Sequence, residues 1–386
     1  MHRNARVWHP LLSTGAVPVL MMLSLALSGC VTLPRDSFAE AEQSAASPPG
    51  FAHVRYAEDD PALAELMRKS VRSARGEMNA LAISGGGANG AYGAGLLVGW
   101  TRAGTRPEFQ LVTGVSAGAL TAPFAFLGSG WDDRLQQAFL GESSVHLLRR
   151  RAFLGLFTPG FFDGELLRQL VHRYVTDDMI RAVAAEHARG RRLLVATTNL
   201  DTEQLVIWDM GSIAAKGGAA ARELFVTVLV ASASVPAVFP PTMIQVEGNG
   251  RTFNEMHVDG GTESAFFAIP DTLLLAGPLP PDGYKRHLFV IVNGQLDNYF
   301  SITRRSTISI IHRTVEAAGK ASTRSVLFTT AEFCVINGCD LKVAALPSSQ
   351  KDASLNFSAA HLQSLFAAGE TDIANDTAWH TGPPKR

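Results

Sequence analysis

The chain alternates short apolar runs with longer stretches in which apolar residues recur at helical spacing. Runs at 80–84 (ALAIS), 110–115 (QLVTGV) and 287–294 (HLFVIVNG) are typical of strands buried on both faces, and RLLVATTNL and QLVIWDM are further strand candidates. Strands that alternate with helices in this way predict an α/β fold in which helices flank a mostly parallel central sheet. Helical spacing is found at 58–75, after the glycines at 84–90 as far as about Trp100, and at 117–127, 163–175, 221–233, 305–328 and 358–369.

The same pattern sets the predicted domain limits. A single globular domain is predicted over residues 58–370, because apolar periodicity begins and ends there. Residues 30–57, which include AEQSAASPPG, are small, polar and Pro-containing, so a flexible tether is predicted. Residues 371–386 lack an apolar period and are predicted to fray.

The first 29 residues have the features of an export signal. Arg3 and Arg6 precede an uncharged stretch from 11 to 29, which ends in Leu-Ser-Gly before Cys30. This ending resembles the bacterial lipobox. The resemblance implies that residues 1–29 are a lipoprotein signal peptide and that Cys30 becomes the site of lipid attachment.

An uncleaved anchor helix is the alternative interpretation of this segment, and Gly15 and Pro18 within it disfavour that alternative. Both interpretations place the rest of the chain outside the cytoplasm, in the bacterial cell envelope. Val31, rather than Asp, follows Cys30. In lipoproteins of Gram-negative bacteria this resembles sorting to the outer membrane, so an outer-membrane lipid anchor is predicted for such a cell.

Composition and charge narrow the classes of partner. The 386 residues are 46% hydrophobic, which is enough for a full core. The 34 Lys and Arg residues against 35 Asp and Glu give a net charge of −1, so no overall field would attract nucleic acid. Membrane association is therefore expected to depend on a local feature such as the lipid anchor.

The two remaining cysteines, Cys334 and Cys339, flank Asn337-Gly338. Asn-Gly between apolar residues is typical of a tight hairpin turn, which would place the cysteines opposite each other. A disulfide and two buried thiols both remain open. Two cysteines without a paired histidine do not make a metal site, so no metal is predicted.

Gly114-Val115-Ser116-Ala117-Gly118 lies between a predicted strand and a predicted helix, which is the context of a nucleophile elbow. Side chains at 114 or 118 would collide with the neighbouring strand and helix, and glycine avoids both collisions. The Ser116 hydroxyl would stand at a helix N-terminus, where negative charge is stabilised. The alternative is a packing turn in a Gly-rich and Ala-rich chain.

A serine nucleophile needs a base. Of the later histidines, which are His257, His287, His312, His361 and His380, none follows an acidic partner in a convincing strand-end loop. Asp259 is the better candidate, because Gly260 and Gly261 would let the backbone pass close to another loop and leave the carboxylate free. Taken alone, Asp-Gly-Gly is only a turn.

The glycine run Ser84-Gly85-Gly86-Gly87-Ala88-Asn89-Gly90 follows a strand and opens a helix, as in a dinucleotide site. However, the next strand ends in Gly-Val-Ser rather than in an acidic residue, and no Gly-Lys-Ser/Thr follows, so no nucleotide is predicted. Backbone N–H groups at such a loop also suit an oxyanion.

In that order, the Gly-Gly-Gly-x-x-Gly loop, the Gly-x-Ser-x-Gly elbow and the Asp-Gly-Gly sequence resemble the patatin-like phospholipase family. ASASVPAVFPP (231–241) and TTNLDTEQLVIW resemble two further segments of those proteins, and the similarity covers about 78–295. One departure is Asn89, where many members have Arg. The resemblance implies a three-layer patatin-like α/β fold.

The resemblance also implies a Ser–Asp dyad in which Ser116 attacks an ester and Asp259 accepts and returns the proton. The amides of Gly85, Gly86, Gly87 and Ala117 would form the oxyanion hole, with Gly90, Gly114, Gly118, Gly260 and Gly261 supporting the motifs. The implied activity is that of a lipid acyl hydrolase, of phospholipase A or lysophospholipase type, without a cofactor.

Two alternative functions and the role of one segment stay open at the level of sequence. The same fold could serve an exported esterase or thioesterase with a non-lipid substrate, or a catalytically silent envelope lipoprotein that acts as a scaffold. Residues 147–162 (LLRRRAFLGLFTPGFF) fit either a membrane-interacting flap or a buried connection.

Overall fold

The computed structural model describes residues 35–72, 76–141, 164–280, 282–298, 300, 302–303, 305–350 and 352–382. The predicted signal peptide, Cys30 and the segment 147–162 lie outside the described residues. The helices are α1 Glu40–Ser44, α2 Pro61–Arg72, α3 Gly90–Arg102, α4 Ala117–Leu127, α5 Asp132–Leu140, α6 Gly164–Tyr174, α7 Asp177–Ala188, α8 Met210–Lys216, α9 Gly218–Ser232, α10 Asp271–Leu274, α11 Thr307–Asn337 and α12 Ala359–Ala374. The strands are β1 Arg55–Ala57, β2 Glu77–Ile83, β3 Leu111–Val115, β4 Arg192–Asn199, β5 Gln204–Asp209, β6 Thr242–Gly248, β7 Arg251–Asp259, β8 Lys285–Val292, β9 Cys339–Ala345 and β10 His380–Thr381.

The strands form one mixed sheet with a parallel centre. Its order is β1-β5-β4-β3-β2-β8-β9-β10, and β7 pairs with both β4 and β6. The five strands from β4 to β9 in this order are parallel, whereas β1, β5, β7 and β10 pair antiparallel with their neighbours. The predicted α/β class with a mostly parallel sheet is therefore confirmed.

Alternation along the central strands divides the core into two layers. On β2, Leu81 and Ile83 face one hydrophobic cluster, whereas Ala80 and Ala82 face the other. The first cluster includes residues of α3, α4, α9 and α12, and the second includes residues of α2 and α11. Because successive strand side chains point to opposite faces, a continuous apolar strand indicates helices on both sides.

The predicted tether is wrong at its C-terminal end, because residues 38–57 pack on the domain. Phe38 stacks on Phe253 with ring centroids 4.3 Å apart, and Phe51 and Val54 are buried. Strand β1 extends the sheet by pairing with β5. Isolated apolar residues in a polar stretch anchor this segment, and such anchors have no helical period to reveal them.

The predicted frayed tail is wrong as far as residue 382. Helix α12 continues to Ala374, and β10 pairs with β9. Trp379 packs against Trp100 and Phe289, with ring centroids 4.6 and 5.2 Å apart. One tryptophan therefore fixes the last strand, although the surrounding sequence is polar.

The predicted hairpin at 334–339 is also wrong. Cys334 lies in the last turn of α11, and Gly338 ends that helix with a φ of +65° before β9 begins at Cys339. The two cysteines form a disulfide across this helix-to-strand turn. Among the helices of the described ranges, none combines the length and hydropathy needed to cross a bilayer.

Candidate active site

Ser116 lies at the turn between β3 and α4, and its backbone is strained. All five residues of β3 are buried, and Ser116 has φ +57° and ψ −125°, which is rare for a residue with a side chain. This sharp turn sets the side chain at the N-terminus of α4, where the helix dipole stabilises developing negative charge. The predicted strand–serine–helix arrangement is present.

The glycines on either side of Ser116 permit the close packing of this turn. A Cβ at Gly114 would lie 2.5 Å from the carbonyl oxygen of Gly118. A Cβ at Gly118 would overlap the backbone of Ile83 at the end of β2. Substituting either residue would therefore push α4 away from the sheet.

The register of β4 brings Asp259 beside Ser116. Strand β3 pairs with β4 up to Val115, which lies opposite Ala196. The next residue of β4, Thr197, pairs instead with Asp259, the last residue of β7. Up to Ala196, β4 therefore has β3 beside it, and from Thr197 onward it has β7 in the same position. Ser116, which follows β3, and Asp259, which ends β7, thus lie next to each other at one edge of the sheet.

Gly260 and Gly261 allow Asp259 to lie this close to β3 and β4. A Cβ at Gly260 would lie 2.6 Å from the carbonyl oxygen of Ala196 and 3.2 Å from the Val115 side chain. The N–H of Gly261 donates to Oδ1 of Asp259 at 2.7 Å. The two glycines therefore allow the close approach and orient the carboxylate.

The Asp259 carboxyl group is buried, and burial raises its pKa to about 7. The Ser116 hydroxyl and the Gly261 N–H each lower this pKa, but less than burial raises it. Within the described residues, Oδ2 of Asp259 has no hydrogen-bond partner. Ser116 is thus near enough to influence the carboxylate without a formed hydrogen bond to Oδ2, as is common before substrate binds.

The glycine loop offers fewer free amides than the sequence predicts. The N–H of Gly85 donates to the carbonyl of Ala265 at 3.2 Å, so it is not free for an oxyanion. The N–H groups of Gly86 and Gly87 donate to no backbone carbonyl outside regular structure in the described chain. A Cβ at Gly86 would overlap Asn293, and Gly87 has φ +55°, so glycine is needed at both positions.

Residues 352–355 cover the glycine loop from the C-terminal part of the chain. The Ser354 carbonyl accepts the N–H of Ala88 at 2.8 Å. The side chain of Asn89 donates to Oδ1 of Asp352 at 2.7 Å, and Oδ2 of Asp352 lies 3.5 Å from the Lys320 ammonium. The amide of Asn89 is therefore buried and joined through Asp352 to a lysine on α11.

An apolar cavity opens beside Ser116. Its volume of about 120 Å³ has space for about four water-sized groups at about 30 Å³ each. Gly87, Ser116 and Ala117 line one part of it, and the half-exposed side chain of Leu355 also lines it. Its other walls include Leu120 and Phe124 from α4, Leu170 and Val171 from α6, and Leu229 and Ala233 from or just after α9.

Two supporting side chains were not found from the sequence. The Ser232 hydroxyl accepts the N–H of Ser116 at 3.0 Å and donates to the carbonyl of Ala196 at 2.7 Å. Asn293 donates through Nδ2 to the carbonyl of Ser84 at 2.9 Å and accepts the N–H of Gly93 at 3.1 Å. The available signals were ASASVPAVFPP for Ser232 and a polar residue directly after a buried strand for Asn293.

His257 lies two residues before Asp259 on β7, but its hydrogen bonds hold it neutral. The Glu255 carboxylate has a lowered pKa and can only accept, so the ring proton of His257 lies on Nε2, which donates to Glu255 at 3.2 Å. Nδ1 then accepts the hydrogen of the Thr197 hydroxyl, 3.0 Å away, and that hydroxyl also accepts the indole N–H of Trp208 at 2.8 Å. Burial lowers the pKa of His257, and both of its ring nitrogens are hydrogen-bonded.

Glu255 is the acceptor at the end of this buried chain of hydrogen bonds. Burial alone would raise its pKa, but hydrogen bonds from His257 and from Arg55 lower it to about 2. Arg55 binds both carboxylate oxygens of Glu255 and also donates to the carbonyl of Ala46 at 2.8 Å. The N-terminal segment is thereby joined to the strand that carries Asp259.

No group of three or more His, Cys, Asp or Glu side chains in the described ranges could hold a metal ion.

The family model for patatin-like phospholipases matches residues 81–270. This interval includes the glycine loop, the Ser116 turn and Asp259. Residues 81–270 thus match the patatin-like phospholipase family, whose members are generally lipid acyl hydrolases. A search of curated protein sequences gave no match.

Three solved structures are similar to the chain. VipD from Legionella pneumophila is 12% identical, with a TM-score of 0.35, and the match covers 80% of this chain and 68% of VipD. ExoU from the type III secretion system of Pseudomonas aeruginosa, in complex with SpcU, is 13% identical, with a TM-score of 0.29. A second ExoU structure is 12% identical, with a TM-score of 0.29. The match covers 80% of this chain in both cases and about half of ExoU, at 55%.

Proposed function

We propose that this protein hydrolyses carboxylic ester bonds of lipids, in the manner of a phospholipase A or lysophospholipase, through a dyad of Ser116 and Asp259. The observation that carries the proposal is the register that places Asp259 beside Ser116 at the edge of an apolar cavity. We further propose that the domain is held at the bacterial envelope by a lipid on Cys30.

In the first half of the proposed reaction, Oγ of Ser116 attacks the ester carbonyl carbon while the Asp259 carboxylate takes the hydroxyl proton. The N–H groups of Gly86 and Gly87, together with that of Ala117, bind the oxyanion. The tetrahedral intermediate collapses, the bond to the leaving alcohol breaks, and Asp259 returns the proton to that alcohol. Ser116 is left acylated.

In the second half, water attacks the acyl-Ser116 carbonyl and gives a proton to Asp259. Collapse of the second tetrahedral intermediate breaks the bond to Oγ, which recovers the proton from Asp259, and a carboxylic acid leaves. The raised pKa of Asp259 suits both directions of transfer, because a base with a pKa near neutrality accepts and donates a proton readily.

The cavity supports an acyl chain as the group bound beside the serine. Its walls are almost wholly apolar, and its volume fits a chain segment of about four methylene-sized groups. Burying such a chain contributes about 0.8 kcal/mol for each methylene. A long-chain ester is therefore expected to react faster than an acetyl ester.

The proposal is tested by a panel of esters of graded acyl length, a phospholipid, a lysophospholipid and an acyl thioester. We expect turnover of the lipid esters, with kcat/KM rising with acyl length, and no turnover by the Ser116→Ala variant. A preference for the thioester or for acetyl esters would indicate that the natural substrate is not a lipid. A folded protein without any turnover would indicate a scaffold.

The Leu170→Phe variant, assayed on the same panel, tests whether the cavity binds the acyl chain. The larger side chain narrows the cavity at the wall formed by α6. Losing room for two methylenes is expected to lower kcat/KM for long-chain esters by about 10-fold, with little change for acetyl esters. Equal loss on all chain lengths would contradict the assigned acyl pocket. Thermal unfolding of the variant shows whether the larger side chain disturbs the core.

The rate of ester hydrolysis is expected to rise with pH through neutrality, with a midpoint near pH 7. Asp259 accepts a proton only as the carboxylate, and burial raises its pKa to about 7. Below that midpoint, kcat/KM should fall about 10-fold for each pH unit. The measurement is kcat/KM for a soluble ester across this range, with circular dichroism at each pH as the control for folding. A midpoint near the ordinary Asp value of 3.8 would contradict the assignment of the base.

A further inference from the structure

Residues 352–357, which we call the covering segment, lie against the glycine loop. The Ser354 carbonyl accepts the N–H of Ala88 at 2.8 Å. A Cβ on Gly87 would lie only 2.3 Å from the same carbonyl oxygen, so the two backbones are in direct contact. The position of the loop at residues 87–88 therefore depends on where the covering segment lies.

The glycine loop needs such contacts more than an ordinary loop does. Its three consecutive glycines, at 85–87, have more conformational freedom to lose than residues with side chains. The N–H of Gly85 donates to the Ala265 carbonyl, whereas Gly86 and Gly87 carry the N–H groups that the proposed reaction assigns to the oxyanion. A donor reserved for the oxyanion is positioned by the packing of its neighbours.

Three side chains hold the covering segment against the loop. Asn89, which is 1% exposed, donates to Oδ1 of Asp352 at 2.7 Å. Oδ2 of Asp352 lies 3.5 Å from the ammonium of Lys320 on α11. The Asp352 and Lys320 side chains are 12% and 11% exposed, so salt and water screen their attraction less than that of a surface pair. We call Asn89, Asp352 and Lys320 the clasp, because one carboxylate joins the loop, the covering segment and α11.

The α11 end of the clasp is itself fixed. Lys320 also lies 3.7 Å from Glu316, one turn earlier on α11, and Arg313 donates to Glu316 at 3.0 Å. One turn after Lys320, Arg324 donates to the carbonyl of Leu296, just after β8, at 3.0 Å. Helix α11 is therefore anchored beside the sheet close to Lys320 and gives the clasp a firm base.

We propose that the clasp positions the N–H group of Gly87 for the oxyanion, and that Asn89 and Asp352 are positioning residues which act through the covering segment. This role rests on the proposed function in one respect, that an ester is the substrate and its oxyanion binds the loop. Without the clasp, the covering segment moves, the hydrogen bond from Ala88 to Ser354 weakens and the Gly87 N–H loses its direction. A shift of about 1 Å at such a donor can cost about 100-fold in rate.

The first test is Asp352→Ala, which removes both contacts of the clasp. We expect kcat to fall by about 10-fold to 100-fold on acetyl and long-chain esters alike, with little change in KM for the acetyl ester, because every ester forms the same oxyanion. A loss confined to long-chain esters would overturn the proposal. The covering segment would then act only as a wall of the cavity, which its Leu355 and Phe357 line.

The conservative variant Asp352→Asn tests the hydrogen bond within the clasp. Asparagine keeps an oxygen that can accept the Asn89 side chain, but it loses the charge that attracts Lys320. We expect kcat to stay within about 5-fold of the parent protein. A loss equal to that of Asp352→Ala would contradict the hydrogen bond to Asn89 as the link that positions the loop.

The matched control is Tyr92→Phe, which breaks a hydrogen bond of the same kind on the same side of the sheet. Tyr92 lies on α3, three residues after Asn89, and its hydroxyl donates to Oδ2 of Asp372 on α12 at 2.8 Å. This variant should unfold at a lower temperature and keep kcat within about 2-fold of the parent protein. A loss of rate equal to that of Asp352→Ala would show that any disturbance of α3 slows the reaction, and would overturn the role of the clasp.

Amide hydrogen exchange measures the clasp without turnover. In Asp352→Ala, residues 85–89 are expected to exchange about 10-fold faster, while β2 and β3 exchange as in the parent protein and show that the variant is folded. Faster exchange of the loop in a protein that cleaves no ester would reject the proposed function and leave the clasp as the support of the loop. Ester hydrolysis with unchanged kcat and unchanged exchange in Asp352→Ala would reject the clasp and leave the proposed function.

Discussion

Replacing Ser116 with alanine is expected to lower kcat for ester hydrolysis by about 10⁶-fold, because it removes the atom that forms the acyl-enzyme. Alanine keeps the Cβ, so the strained turn with φ +57° and the contacts of α4 should remain. The free energy of unfolding is expected to change little. What is lost is the chemistry and not the fold.

The measurement for Ser116→Ala is single-turnover hydrolysis together with labelling by a fluorophosphonate, which reacts with activated serines. The matched control is Ser70→Ala, which removes another buried serine hydroxyl, one that donates to the carbonyl of Met67 at 2.7 Å on α2. That variant should keep both labelling and turnover. Residual turnover above about 1% in Ser116→Ala would show that another residue is the nucleophile.

The features predicted well from the sequence are those encoded by neighbouring residues. The turn at Ser116 follows from two glycines, a buried strand before it and a helix after it, all within one short segment. The sheet class follows in the same way from continuous apolar strands between helices. Local sterics and burial decide these features, so a single sequence contains the information.

The remaining features of the site depend on residues far apart in the chain. Ser232 reaches Ser116 across 116 positions, and Asp352 reaches Asn89 across 263. The segment ASASVPAVFPP marks Ser232 as a candidate but does not predict which group it will meet, because the approach is fixed by packing of whole helices. The hydrogen bond from the Gly85 N–H to the Ala265 carbonyl also joins residues far apart in the chain.

The hairpin predicted around Asn337-Gly338 shows why a local signal can also mislead. A type I′ turn and the end of a helix both use a glycine with positive φ, and Gly338 has φ +65° at the end of α11. The two outcomes differ in what precedes the glycine. Leu327, Ala331 and Cys334 on the same face of α11 bury that helix against the sheet, which decides for helix over strand.

Replacing Asp259 with asparagine is expected to lower kcat by about 10⁴-fold, the upper end of the range for general base catalysis, because the same carboxylate serves both halves of the proposed reaction. Asparagine has nearly the same shape, and its oxygen can still accept the N–H of Gly261. His257 offers no substitute, because its ring nitrogens are engaged by Thr197 and Glu255.

The decisive feature of Asp259→Asn is that stability should rise while activity falls. The pKa of Asp259 is about 7 in the folded protein against an ordinary value of 3.8, so the folded state loses stability as pH rises from about 4 to about 7. Above that range the asparagine variant avoids a buried charge, and its free energy of unfolding should increase by at most on the order of 4 kcal/mol. Denaturant unfolding on both sides of this range measures the gain, which should vanish in acid.

His257→Gln is the control that separates this behaviour from general damage at the same strand. It weakens the buried hydrogen bonds to Glu255 and Thr197, so it should lower stability while kcat for the folded protein stays within about 10-fold of the parent. An Asp259→Asn protein that loses activity and stability together would indicate a structural role for the carboxylate. Near-normal turnover in that variant would reject the dyad, because no other buried carboxylate lies beside Ser116 in the register of the described strands.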